Sequence, residues 1–210
     1  MNLSELNRDF GRNKAQKIHW PQDPILLIET WLQQAMALNI HEANAMVVST
    51  VGPENRPSSR VVLLKEFAAD TGFIFYTDYE SRKGRELALH PYASLHFFWR
   101  EMERQIRIEG KVENISRELS IAYFDSRPIE SRASAMVSKQ STVIDSLDSL
   151  LKQRDQLLQQ PQKINCPERW GGYTLKAEQI EFWQGGNNRL HERTTYQLVN
   201  GIWHKTFLAP

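Results

Sequence analysis

Residues 1 to about 20 are polar and show no periodicity of apolar positions, so 1–22 reads as a mobile arm ahead of one folded domain, 23–210. From there the pattern sharpens. "DPILLIETWLQQAMAL" (23–38) predicts a helix, with Asp23 as N-cap, Pro24 in the first helical position, and Ile25, Leu26, Ile28, Trp31 and Leu32 on one side. Short apolar runs between turn signals then predict strands. They are "AMVVSTV" (45–51), "SSRVVLLKEF" (58–67) after a Gly-Pro-Glu-Asn-Arg-Pro turn, and "FIFYTD" after a turn ending at Gly72. A helix opening at Ser81-Arg82-Lys83 leads to a hairpin of "YASLHFFW" (92–99) and "QIRIEGKVENI" (105–115). In its second strand Ile106, Ile108 and Val112 alternate with Gln105, Arg107, Glu109 and Lys111, which gives one buried and one polar face.

Helical spacing returns at 117–126, 129–137 and 142–159. The last third alternates again: "GGYTLKAEQIEFWQG", then "RLHERTTYQLV", then an Asn200-Gly201 hairpin turn and "IWHKTFLA". Many short strands with helices inserted among them, and no βαβ alternation, predict a mainly β fold: an antiparallel barrel with helical decorations.

Composition narrows the chemistry. With 26 basic against 25 acidic side chains the net charge is +1, so no global field attracts nucleic acid or an anionic membrane, and an anion site has to be built locally. The single cysteine, Cys166, leaves no internal disulfide and reads as a half-buried apolar residue. No apolar run approaches the ~18 residues of a membrane span. The N-terminus lacks the apolar core of a secretory signal, so the expected location is the cytoplasm.

Phosphate-binding glycine loops, the G-x-S-x-G elbow and histidines at metal-ligand spacing are all absent. What stands out is cations in unusual places. A helix N-terminus carries partial positive charge, so Arg82 and Lys83 in a first turn oppose the dipole unless an anion sits between them. Arg60 and Lys65 bracket the apolar run Val61-Val62-Leu63-Leu64. Arg127 precedes Pro128, with Tyr123 and Ser131 four residues to either side, and a helix starting there would form a second anion site. Arg189, His191 and Arg193 fall at i, i+2 and i+4 of an expected strand and so share a face. Each group alone reads as a solvated polar surface. Together, with Tyr76, Tyr123 and Trp183 nearby, they suggest a planar ligand and more than one phosphate.

Eight segments, "SSRVVLLK", "FYTDYESRKGREL", "ERQIRIEGKVE", "YFDSRPIESR", "VSKQS", "WGGY", "IEFWQGGNNRLHER" and the terminal "LAP", closely resemble the pyridoxamine/pyridoxine 5′-phosphate oxidase family. They run in order over about residues 23–210, and the F-W-Q-G-G-x-x-R-L-H-[DE]-R segment is the most specific. The resemblance implies an FMN-binding split barrel and a homodimer with flavin between the subunits. It also implies oxidation of pyridoxamine and pyridoxine 5′-phosphates to pyridoxal 5′-phosphate, with molecular oxygen as acceptor and hydrogen peroxide, plus ammonia from the amine, as by-products. By motif, Arg60 to Lys65, Arg82, Lys83 and Ser141 resemble residues around the flavin phosphate and ribityl chain. Tyr76, Thr77, Gln105, Gln140, Trp183 and Arg193 resemble the remaining flavin contacts. Lys65, Tyr123, Arg127 and Ser131 resemble a substrate-phosphate clamp, and Arg189 and His191 the pair over the substrate's ring. Phe207 stands where the family usually has Arg, and "NRDF" replaces an R-x-x-Y in the arm. The alternatives are a split-barrel protein that binds FMN or pyridoxal phosphate without turnover, and a split-barrel reductase with another substrate.

Overall fold

The structure, a computed structural model, describes residues 18–210. The arm expected at 1–22, Phe10 included, therefore lies mostly outside the described residues. Its inner end is tied down: Tyr196 Oη donates to the Pro21 carbonyl, Lys205 Nζ to the Trp20 carbonyl, and Gln22 Nε2 to the Trp203 carbonyl.

Among the described residues there are five α-helices and nine strands, and every strand pairing is antiparallel. Helix α1 (Pro24–Ala37) starts where the sequence says, with Asp23 accepting from the Ile25 amide. Its buried stripe, however, is Leu27, Ile28, Trp31 and Ala35, while Leu26 is 55% exposed. Trp31 packs edge-on against Phe182 at 5.2 Å, and that contact turns positions 27, 31 and 35 inward.

Strands β1 (Ala45–Val51) and β2 (Pro57–Leu63) pair through the Gly52–Arg56 turn. The expected strand 58–67 is broken at Leu64 and Lys65. The Leu64 amide still bonds back to Asn44, but the Lys65 amide donates to Ile74, so the chain changes partners there before the short β3 (Glu66–Ala68). β4 (Gly72–Asp78) leads into α2 (Arg82–Leu89), then β5 (Tyr92–Trp99) and β6 (Arg104–Asn114). Helices α3 (Arg117–Ser126), α4 (Ile129–Val137) and α5 (Leu147–Leu158) follow. The last begins later than the predicted 142, because Ser146 is the residue that caps it, accepting from the Ser149 amide.

The long β7 (Trp170–Gln184) organises the sheet. One edge pairs with β6 from Tyr173 to Gln184. The other pairs with β4 through its first half and with β8 (Glu192–Val199) through its second, and β9 (Ile202–Leu208) closes the end. An extra residue, Glu178, bulges between these halves, beside Gly110, where a Cβ would meet the Lys176 carbonyl at 1.9 Å. The path β2-β1-β5-β6-β7-β4-β3 brings β2 alongside β4, so the sheet curls into an open barrel around Val48, Phe75, Leu95, Ile106, Ile108 and Phe182. No described helix is long and apolar enough to cross a membrane.

Candidate functional site

Outside the barrel, β2, the end of β4, the start of α2, and the α3–α4 pair enclose a cleft of about 940 Å³. Fourteen of the residues singled out in the sequence line it: Arg60, Val61, Val62, Leu63, Lys65, Tyr76, Thr77, Arg82, Lys83, Tyr123, Arg127, Ser131, Gln140 and Ser141. Leu64 does not; its side chain is buried in the barrel core.

One end of the cleft is the start of α2. Ser81 caps it by accepting from the Gly84 amide, which leaves Arg82 and Lys83 in the first turn. Gly84 is required there, since a Cβ would meet the Tyr79 carbonyl at 1.9 Å. Lys83 is 6% exposed and donates to Gln140 Oε1 at 2.6 Å and Thr77 Oγ1 at 3.0 Å. Burial, reinforced by the Arg60 guanidinium, pushes its pKa down to about 8. Arg82 Nε donates to Glu86 Oε1 at 2.8 Å, and Arg60 Nη2 to Glu86 Oε2 at 3.1 Å.

The turn carrying Gln140 and Ser141 is held by a buried ion pair. Arg169 Nε lies 3.0 Å from Asp78 Oδ2, while its Nη2 donates to the carbonyls of Ala135, Met136 and Ser138 at the end of α4. That pair satisfies the helix's terminal carbonyls and fixes where the following turn begins.

The other end lies at the start of α4. Pro128 is its N-cap and offers no capping side chain, so its first-turn amides, near Ser131, remain available to an anion. Arg127 lies over the Trp170 ring, Cζ to centroid 4.9 Å, and its Nη1 is buried without a hydrogen-bond partner. Burial pushes its pKa below the usual arginine value. Lys65 Nζ sits 6.0 Å from the Tyr123 ring, which stacks on Tyr76 at 3.8 Å with Trp170 parallel beyond.

The remaining sequence candidates are elsewhere. Gln105 on β6, Trp183 on β7 and Arg193 on β8 are lateral neighbours across the sheet. Gln105 bonds His96, and Glu181 accepts from Arg193 at 2.9 Å and Arg107 at 3.2 Å. Arg189 and His191 are not in a strand with Arg193. Asn187–Arg189 is a single helical turn, Asn188 and Arg189 are left-handed (φ 52° and 64°), and β8 begins only at Glu192. The Gly185-Gly186-Asn187-Asn188 run extends the turn past the point where the alternating pattern suggests a strand. The Gly186 amide donates to His191 Nδ1 at 3.1 Å, and the imidazole lies 4.6 Å from the Trp183 ring. The chain therefore presents two separate clusters, and none of this second set lines the cleft.

Two family models match, one for pyridoxamine 5′-phosphate oxidase over residues 32–160 and one for the pyridoxine 5′-phosphate oxidase C-terminal dimerisation region over 170–210. The chain belongs to the pyridoxamine 5′-phosphate oxidase family. A relative from Pseudomonas syringae pv. tomato named pyridoxine/pyridoxamine 5′-phosphate oxidase is 47% identical, over 99% of this chain and 98% of its own length. One of the same name from Actinobacillus succinogenes is 44% identical over the whole of both chains. Among solved structures, PhzG from Burkholderia lata 383, in complex with tetrahydrophenazine-1-carboxylic acid, superposes with a TM-score of 0.87. It is 30% identical over 92% of this chain and 98% of that one. A pyridoxamine 5′-phosphate oxidase-related, FMN-binding protein from Nostoc punctiforme shares the fold at a TM-score of 0.74 and 17% identity, over 93% of this chain and all of that one.

Within this family framework, sequence reasoning missed Glu86, the Asp78–Arg169 pair and Trp170. An Arg82–Glu86 pair at i, i+4 was readable as a helix-face contact. Asp78 and Arg169 lie too far apart in sequence to be paired by pattern, and Trp170 stands in the quoted "WGGY" without a role.

Proposed function

We propose that the chain is an FMN-dependent oxidase that converts pyridoxamine and pyridoxine 5′-phosphates to pyridoxal 5′-phosphate, the amine with uptake of water and release of ammonia, acting as a homodimer whose partner supplies the second cluster to each cleft. The observation that carries the reading is the cleft's two cationic ends. Arg60, Arg82 and Lys83 make one, and Arg127, with a buried unpartnered Nη1, makes the other beside a bare helix N-terminus. A flavin mononucleotide and a phosphorylated substrate together bring two phosphates. A protein that only carried flavin would have no use for the second end.

The donor set fits both groups. Arginine, lysine and hydroxyls with a helix start behind them hold a phosphate dianion well. Lys83, Arg60, Arg82 and Ser141 would take the flavin phosphate, with Gln140 and Thr77 orienting Lys83. Arg127, Lys65, Ser131 and the Tyr123 hydroxyl would take the substrate's phosphate. When bound, FMN supplies the hydride acceptor, and oxygen takes the two electrons on as hydrogen peroxide. The chain's task is to seat the substrate's 4′ carbon against the flavin and exclude alternatives.

Gln105, Trp183 and Arg193 would complete the flavin site, and Arg189 and His191 would cover the substrate ring. With Nδ1 accepting from the Gly186 amide, neutral His191 carries its proton on Nε2 and can donate only there. Burial and Arg189 lower its pKa, favouring this neutral form. None of these residues lines the cleft of their own chain, and the dimerisation-region match over 170–210, which covers Trp183, Arg189, His191 and Arg193, supports their arrival from a partner.

The test is spectroscopic. Protein loaded with FMN should bleach when pyridoxamine 5′-phosphate is added without oxygen, then release peroxide and recover its colour on aeration. A bound flavin that never bleaches would sink the oxidase reading and leave a carrier or a reductase with another substrate.

A further inference from the structure

We propose that Glu86 is the positioning residue of the phosphate end of the cleft, holding both Arg60 and Arg82 in place before the ligand arrives; this rests on reading those arginines as ligands of a flavin phosphate. Glu86 lies one turn into α2, 4% exposed, on the side that faces β1 and β2. Four donors converge on it. Arg82 Nε donates to Oε1, while Oε2 accepts from Arg60 Nη2, from Ser58 Oγ at 2.6 Å and from the buried Thr50 hydroxyl.

The same two hydroxyls also accept from Arg60, Thr50 from Nη1 and Ser58 from Nη2. The guanidinium is thus locked by a closed ring of partners. Gly52 leaves room for this, since a Cβ there would lie 3.1 Å from Glu86 Oε1. Burial alone would raise the Glu86 pKa, but the bonds from Ser58, Thr50, Arg82 and Arg60 outweigh it and hold the group at about 2.

Three cations, Arg60, Arg82 and Lys83, would otherwise repel one another with no counter-charge between them. One buried carboxylate offsets that repulsion and ties α2 to the β1–β2 hairpin. Glu86 does not touch the ligand on this account. It acts through the arginines, and the opening turn's unfavourable cations are explained by an internal anion as well as by an external one.

Because only a phosphate would feel the arginines' placement, the proposal is tested by comparing FMN with riboflavin. Both are titrated into apo-protein by fluorescence quenching, for wild type, Glu86→Gln and Ser58→Ala. Loss of charge-assisted bonding should weaken FMN about tenfold or more in Glu86→Gln, and less in Ser58→Ala, with riboflavin unchanged. Ser58→Ala keeps the carboxylate and provides the same test if Glu86→Gln does not fold. Equal weakening of both flavins would make Glu86 merely structural and overturn the proposal. Unchanged or tighter FMN binding would overturn it too, because the carboxylate would then be competing for the arginines. Wild-type protein that binds neither flavin would overturn the flavin reading, and this proposal with it.

Discussion

Arg127 meets an aromatic face before any ligand does. Its guanidinium rests over Trp170, and one buried nitrogen has no acceptor, a cost that the proposed phosphate would recover. Arg127→Ala should therefore weaken the phosphorylated substrate by roughly ten- to hundredfold, the worth of about 1.5–3 kcal/mol, and leave FMN affinity as it was. Steady-state KM and a flavin titration measure the two separately, and parallel losses would show the two phosphate ends to be wrongly divided. Lys83 supplies a second prediction. Its pKa in the ligand-free protein is depressed to about 8, and a bound dianion would raise it. FMN binding near pH 8–9 should then take up a proton, and affinity should fall as pH rises through about 8. Calorimetry in buffers of different ionisation enthalpy measures the uptake; Lys83→Met should abolish it. For folding the sign is the reverse. A lysine with a lowered native pKa penalises the apo-protein fully below about 8, and the penalty fades towards the unfolded value of 10.5.

At the scale of elements, local patterns carried most of the fold. Asp23 and Pro24 marked α1, period-two alternation marked β6, and Asn200-Gly201 marked the β8–β9 turn. The misreadings came where tertiary partners decide. Leu64 and Lys65 continue a strand pattern, yet the hydrogen bonds of Lys65 pass to β4; Leu26 looks like core, yet Trp31 sets the inward face elsewhere. The 187–191 turn matters most for the proposed function. Arg189 sits at φ 64°, where a side chain is tolerated at some cost and glycine is not strained. Arg189→Gly should thus keep the turn and the bound flavin while slowing flavin reduction by substrate, measured by stopped flow. Reduction at the wild-type rate would remove the guanidinium from the catalytic set.

For the whole molecule, the sequence named most of the cleft and both of its cationic ends, while residues such as Asp78, Ser138 and Trp170 went unnoticed. One cationic end is built by β2 and α2, the other by α4, and a third group, on β6, β7 and β8, lines neither. The distance in sequence between these groups hinted at that separation, and its structural cause is how β7 is shared between β4 and β8 across its bulge. On the proposed reading a second chain closes the gap, so FMN belongs to the dimer. Flavin should raise the melting temperature and shift sedimentation towards dimer on dilution.

Subunit mixing tests that account most directly. Arg127→Ala changes only the cleft and Arg189→Ala only the distal cluster, so each pure dimer has two damaged sites. After exchange, half of the dimers pair one of each, and each of these holds one site with both halves intact. Peroxide release at low pyridoxamine 5′-phosphate should recover to about one quarter of wild type, as a symmetric two-fold dimer requires. A mixture no more active than the sum of its two components, with subunit exchange verified, would contradict a site shared between chains.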